Sequence, residues 1–219
     1  MVTILSGGDE NDLLEGSSGD DTLYGNRGDD TIYGGDGNDF ARGGRGDEFF
    51  NGNLGEDTLY GDKGDDIVRG GKGADLLYGG QGTDLVYGDF DNDIVYGNDG
   101  SDILRGGKND DTIYGNDGGD TIYGDLGNDL LSGDDDGATY SDVFVFADNS
   151  GQDTISGFQS VDTISIQINV NDQLLNRFGE LTITEIDNFT YVVDLGSGNT
   201  VTLQLGDIFV LAEDNFEFF

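Results

Sequence analysis

From Gly7 to Ser132 the chain repeats every nine residues, through fourteen consecutive units without an insertion or deletion. The first position of every unit is Gly, from Gly7, Gly16 and Gly25 on to Gly124. Gly also fills the fourth position in eleven units, the exceptions being Glu10, Asp91 and Asn109. So strict a period outranks any local propensity, because units of this length cannot bury a core alone and stack into solenoids.

Each position of the unit can then be read physically. The second is Gly, Asn, Asp or Ser throughout. Gly, Asn and Asp best tolerate left-handed backbone, so positions 1 to 5 read as a tight turn. Positions 7 to 9, such as Thr31-Ile32-Tyr33 or Leu76-Leu77-Tyr78, are β-branched, aliphatic or aromatic and read as a short strand. The eighth is Leu, Ile, Val or Phe in thirteen units, with Ala41 the exception. Alternation sends it to one face and positions 7 and 9 to the other. If each unit makes half a coil, successive strands lie on opposite sides and the position-8 residues meet in a thin core. Seven such coils span roughly 34 Å at a strand spacing of about 4.8 Å.

The sixth position carries the chemistry. In this geometry it forms two acidic columns, each stepping eighteen residues. One is Asp12, Asp30, Glu48, Asp66, Asp84, Asp102 and Asp120; the other is Asp21, Asp39, Asp57, Asp75, Asp93, Asp111 and Asp129. Neighbouring carboxylates about 5 Å apart repel by roughly 0.8 kcal/mol in water and about 3 kcal/mol at an effective dielectric of 20. A cation between coils reverses that sign. Calcium, with oxygens at roughly 2.3–2.6 Å, fits the strand spacing and accepts backbone carbonyls from a Gly-rich turn. Magnesium requires a tighter octahedron. Two columns of seven turns offer at most about 12 slots between coils. Glu48 is expected to be the weak point, because its extra methylene moves the carboxylate out of line.

Composition excludes much else. Forty-six Asp and Glu against nine Lys and Arg give a net charge of −37, which leaves nothing to neutralise a nucleic-acid backbone. Cys and His are absent, and with them zinc fingers, disulfide scaffolds, Cys nucleophiles, soft Cys or His metal ligands and His-based triads. Low hydrophobicity with high net charge is the signature of disorder, so the chain is expected to fold only when something cancels the acid. No apolar run approaches membrane-spanning length, Ile208–Ala212 being among the longest.

The unit Gly-Gly-x-Gly-x-Asp-x-(apolar)-x resembles that of RTX, or hemolysin-type, calcium-binding repeats. Clean instances are Gly34-Gly35-Asp36-Gly37-Asn38-Asp39 and Gly79-Gly80-Gln81-Gly82-Thr83-Asp84. The resemblance runs from about Gly7 to Asp142. It implies an all-β, right-handed parallel β-roll, with two nonapeptides per coil, in a protein exported by type I secretion machinery. Calcium ligands would be the fourteen position-6 carboxylates and Asp142.

After Ser132 the period fails: Gly133–Asp142 holds four residues too many before the next Asp. Residues 143–219 carry 12 of the 46 carboxylates and one basic residue, Arg177. Alternating runs at 162–166, 181–184 and 191–194 read as strands, with 196–199 as the turn into Thr200–Leu205. A solenoid needs an end cap, and this segment can supply one. It also resembles the terminal module of type I secreted RTX proteins, in the runs Asp142–Phe146, Gly151–Phe158 and Leu211–Phe219. Met1–Leu5 lack the charged-then-apolar start of a cleavable leader, and a C-terminal uncleaved signal would explain that. The expected division is a capping strand at 1–6, the calcium roll at 7–142 and a β-rich cap with the export signal at 143–219.

Other residues carry weaker signals. Asp62, Asp89 and Asp125 at position 2 read as left-handed turn residues rather than ligands. Asp153 and Asp162 read equally as ligands under the cap and as turn residues. Position-9 tyrosines face outward, and Tyr60, Tyr78, Tyr96 and Tyr114 form a ladder interrupted earlier by Arg42. That ladder stabilises its face through neighbouring-strand contacts. The rival reading is a docking surface for another copy or for a neutral glycan. Anionic glycans are disfavoured by the scattering of eight basic residues over the repeats. No carboxylate pair or activated nucleophile stands out, so the chain reads as a non-enzyme; the RTX resemblance implies that it is extracellular or at the cell surface. The alternatives are a surface or matrix interaction module, a carbohydrate-binding module, and the export tail of a larger secreted protein or enzyme.

Overall fold

The computed structural model describes residues 2–134, 140–147, 150–166, 182–187, 190–196, 199–205 and 215–218. Two parallel sheets stack side by side, and successive strands alternate between them. The first takes strands beginning at Ile4, Thr22, Phe40, Thr58, Leu76, Ile94, Thr112, Leu130 and Gln152. The second takes those beginning at Leu13, Thr31, Phe49, Ile67, Leu85, Ile103, Thr121, Val143 and Thr163, and ends with Phe216–Phe218. The fold is therefore an all-β parallel solenoid, with two nine-residue units to the coil. Within the repeats, strand residues pair in register with those eighteen positions on, as Leu77 with Val95 and Val86 with Leu104.

Strands are longer than the three residues that positions 7 to 9 suggest. Most run for six, as Thr58–Lys63 and Leu76–Gln81 do, through positions 1 to 3 of the next unit. The Gly at position 1 lies inside a strand and points inward, beside its apolar neighbour at position 8. Positive φ falls instead at positions 2 and 4: Gly80 (+129°) and Gly82 (+144°) in one turn, Asn98 (+76°) and Gly100 (+146°) in another. The position-1 Gly is needed for space. A Cβ on Gly79 would stand 2.5 Å from Asp84 Oδ2 and 2.8 Å from the Gly97 carbonyl oxygen.

Position 8 builds the core, as the alternation predicts. Leu14, Leu23, Ile32, Ala41, Phe50, Leu59, Val68, Leu77 and their successors to Leu131 are all buried. Ala41, the one small residue, comes half a coil before Phe50, the one ring, so the two volumes offset each other. Beyond the repeats, Phe144, Ile155 and Ile164 continue the same line, and Phe146, Phe158, Val193, Val201, Leu203 and Phe216 extend the core. There the first sheet turns antiparallel through Asn199–Leu205, Thr190–Gly196 and Thr182–Asp187, with Gly196 opposite Asn199. The run Leu211–Phe219 lies partly, and Leu181 and 135–139 wholly, outside the described residues. Among the described residues no helix is long and apolar enough to cross a membrane.

Candidate metal centre

Position 6 stands at the entry to each strand with its side chain turned inward. Asp21 to Asp129, Glu48 included, and Asp142 are 0–3% exposed. Asp12 is half-buried at the open end of the roll. From Asp21 to Asp142, Glu48 excepted, one oxygen of each carboxylate has a definite partner in the neighbouring coil. Asp57 Oδ1 accepts the Asp39 amide at 2.7 Å, Asp75 that of Asp57 at 2.8 Å, and Asp84 that of Asp66 at 2.8 Å. This bond, which carboxylate spacing alone does not reveal, ties each of these carboxylates to the backbone as well as to its column.

The second oxygen is the informative one. Oδ2 of Asp30, Asp39, Asp57, Asp66, Asp75, Asp84, Asp93, Asp102, Asp111, Asp120, Asp129 and Asp142 is buried without a hydrogen-bond donor. Buried polar atoms are nearly always satisfied, and an unpaired buried carboxylate oxygen is costly. Eight of these oxygens, those of Asp30, Asp39, Asp57, Asp66, Asp84, Asp93, Asp102 and Asp120, share the small space left by the missing Cβ of a Gly with a backbone carbonyl of the next coil. At Gly34 the two oxygens are Asp39 Oδ2 and Gly52 O, 2.5 and 2.8 Å from where the Cβ would stand. Two acceptors facing one space with no donor call for a cation, and an all-oxygen set selects a hard one. Among the described residues no three acidic side chains converge, so carboxylates must be joined by carbonyls in any ligand shell.

Protonation follows the same logic. Burial first, and acidic neighbours after it, push Asp75, Asp84, Asp111 and Asp142 up to about 7. Asp93 and Asp120 are pushed up to about 8 by the same causes. Asp57 and Asp102 stand at about 6. Backbone amide bonds oppose the rise at every one of these sites.

The columns are not uniform. Neither carboxylate oxygen of Glu48 has a donor, and burial, then the Asp66 carboxylate, raises its pKa. Asp21 is satisfied without metal: Ser17 donates its amide at 2.5 Å and its hydroxyl at 2.9 Å to Oδ2, and the Thr3 amide donates to Oδ1. Burial pushes Asp21 up, but these donors outweigh it and hold its pKa below the ordinary value. The columns also run past the repeat. Asp142 accepts the Asp120 amide at 2.9 Å, Asp153 that of Asp129 at 3.0 Å and Asp162 that of Asp142 at 3.2 Å. The second oxygen of Asp162 takes the Gln159 amide at 2.7 Å, which gives that residue the turn role. A sequence signal existed: Asp153-Thr154-Ile155 and Asp162-Thr163-Ile164 repeat Asp111-Thr112-Ile113, and lie nine residues apart.

Asp62, Asp89 and Asp125 take positive φ of 79°, 79° and 68°. Each also pairs with an arginine twenty residues earlier: Arg42 with Asp62, Arg69 with Asp89 (2.9 Å) and Arg105 with Asp125 (2.6 Å). The same guanidinium groups lie over Tyr60, Tyr87 and Tyr123 at 5.4, 5.7 and 4.7 Å from the ring centres. Tyr60, Tyr78, Tyr96 and Tyr114 stack in parallel with centroids 4.4, 4.8 and 5.0 Å apart. Their faces cover one another, which takes away the flat platform on which a neutral sugar would stack.

A model of the RTX calcium-binding nonapeptide repeat matches residues 6–41, 42–77, 60–95 and 96–131. Among curated proteins none matches. Among solved structures, an extracellular lipase from Serratia marcescens is similar at 17% identity with a TM-score of 0.31. The match covers 99% of this chain and 40% of the lipase.

Proposed function

Because the chain belongs to the RTX calcium-binding nonapeptide-repeat family, we propose that it is a secreted, non-catalytic β-roll that folds when calcium fills its acidic columns outside the cell. The observation that carries this reading is the row of buried Oδ2 atoms without donors. Calcium, when bound, supplies the positive charge these oxygens lack. The ligands are Asp30, Asp39, Asp57, Asp66, Asp75, Asp84, Asp93, Asp102, Asp111, Asp120, Asp129 and Asp142. Asp12, at the edge, and Asp21, held by Ser17, are weaker members, and Glu48 leaves the slots beside it poorly filled. At most about 12 ions occupy the main repeat.

The chain's own residues explain why order waits for the metal. Position-1 glycines keep the carboxylate pocket open, positive-φ residues at positions 2 and 4 turn the backbone, and position 8 closes the core. With extracellular-module affinities of roughly 10⁻⁴–10⁻³ M the sites stay empty in the cytosol, so the chain remains extended for type I export. In this reading 1–6 is a capping strand, 7–142 the calcium roll and 143–219 a cap that carries the export signal. Circular dichroism tests it: β structure should appear on calcium addition and vanish with chelator. A β spectrum that chelation leaves unchanged would defeat the proposal.

A second reading concerns partners at the cell surface. Ile94 and Ile103 are 41% and 38% exposed, and Ile94 lies on the sheet that carries the tyrosine stack. Self-association through that face predicts a calcium-dependent increase in mass by light scattering; a monomer at every calcium concentration removes it.

A further inference from the structure

The basic residues of the repeats are gathered by the fold. On the first sheet Arg27, Arg45 and Lys63 occupy position 3 of three consecutive coils, with Arg27 paired in register to Arg45. Gly28 N bonds Arg45 O at 2.9 Å and Gly46 N bonds Lys63 O at 3.0 Å, which carries the row from coil to coil. One cation therefore rises every coil, about 4.8 Å apart. Arg42 and Tyr24 stand on the opposite side of the same depression, a groove of 730 Å³. Its floor is Gly43–Gly44, and Gly44 has φ +116° with no room for a Cβ above the Asn26 backbone. A bare floor between a basic wall and a mixed basic and aromatic wall is a built channel.

Ion pairing uses only part of this charge. Arg27 meets Asp9 at 3.5 Å, with both side chains exposed, and Arg42 meets Asp62. Arg45 and Lys63 make no ion pair among the described residues. In a chain of net charge −37, four of nine cations share one groove with two carboxylates. The row is also bounded. Asp9 precedes it, and Gln81, Asp99 and Asp117 follow at the equivalent positions.

We infer that this groove binds a linear anionic polysaccharide, one acidic sugar to each coil, along the axis of the roll. The step selects the class. An extended peptide places same-face carboxylates about 6.6–6.8 Å apart and loses register with cations about 4.8 Å apart within two coils. A ribbon of linked acidic pyranoses advances by close to one strand spacing per sugar and turns alternate acids to one face. Its same-face acids therefore lie two coils apart, in step with Arg27 and Lys63, and Arg27 can take a carboxylate or sulfate with two parallel bonds. Tyr24, 37% exposed, offers the terminal sugar an aromatic wall. This inference departs from the expectation that scattered basic residues disfavour anionic glycans, because the fold gathers four of them in one groove.

The inference needs the folded roll but not the calcium or export reading. The test uses the full chain in saturating calcium, with circular dichroism confirming the fold of each variant. Isothermal titration with a galacturonate hexamer and with a sulfated hexasaccharide should give binding by at least one, and the tighter names the anion. The double variant Arg45→Glu, Lys63→Glu should bind at least tenfold more weakly, while Lys72→Glu, Lys108→Glu on the other sheet stays unchanged. No binding by either oligosaccharide overturns the inference. So does equal binding by the groove variant, which would mean calcium bridging to the acidic turns. Equal binding by polyglutamate also overturns it.

Discussion

With calcium chelated, acidification should partly restore the fold that chelation removes. In the folded roll Asp75, Asp84, Asp111 and Asp142 titrate at about 7, and Asp93 and Asp120 at about 8, against an ordinary 3.8. Between those values the folded form binds protons that the unfolded chain does not. The contribution is fully present below about pH 4 and is lost as pH rises through 7 to 8. For a group raised from 3.8 to about 7, moving from pH 8 to pH 5 favours folding by about 2–3 kcal/mol. Three such groups rival the whole stability of a typical domain, about 5–15 kcal/mol. The assay is far-ultraviolet circular dichroism in excess chelator, stepped from pH 8 to pH 5 and stopped above the pI of 4.1 to keep the chain soluble. A β signal should grow as pH falls, and calcium affinity should weaken over the same range because protons compete for the same oxygens. A coil spectrum at every pH, or an intact β spectrum in chelator at pH 8, would show that these buried carboxylates do not control folding.

Glu48→Asp should repair its column: a shorter side chain can accept the Asp30 amide as its neighbours do, raising the calcium-loaded melting temperature and adding bound calcium by titration calorimetry. Gly79→Ala should destabilise the loaded roll by about 1–3 kcal/mol through overpacking against Asp84 Oδ2 and the Gly97 carbonyl, read by urea denaturation. Unchanged stability would mean that position 1 is Gly for some reason other than space. Tyr78→Ala removes two stacked pairs and should cost about 1–3 kcal/mol by the same assay, with calcium stoichiometry unaltered.

Position 8 was legible because burial and period coincide: every unit supplies one apolar side chain at one phase, and nothing else can fill the middle. The acidic columns were legible for the same reason. Strand length was not, because Gly79-Gly80 carries turn composition while Gly79 is extended and only Gly80 has positive φ. Nor was the second stitch between coils, in which Asp47 N bonds Asp29 Oδ1 and Asp65 N bonds Asp47 Oδ1, both at 3.0 Å. Position 5 varies in identity and shows no pattern until its donors are seen one coil away. Asp153 and Asp162 were obscured by the insertion before Asp142, which breaks the counting but not the stacking. The groove at Arg45 was hidden because adjacency in the roll is eighteen residues in sequence.

A chain of near-identical coils faces an addressing problem: any coil could dock on the next but one with its apolar and acidic rows still matched. The arginine–aspartate pairs act as keys against that error. If one coil were skipped, Arg42 would face Gly80 and Arg69 would face Gly107, forfeiting charge at both places. Three misfits in an otherwise uniform text are enough to number its lines.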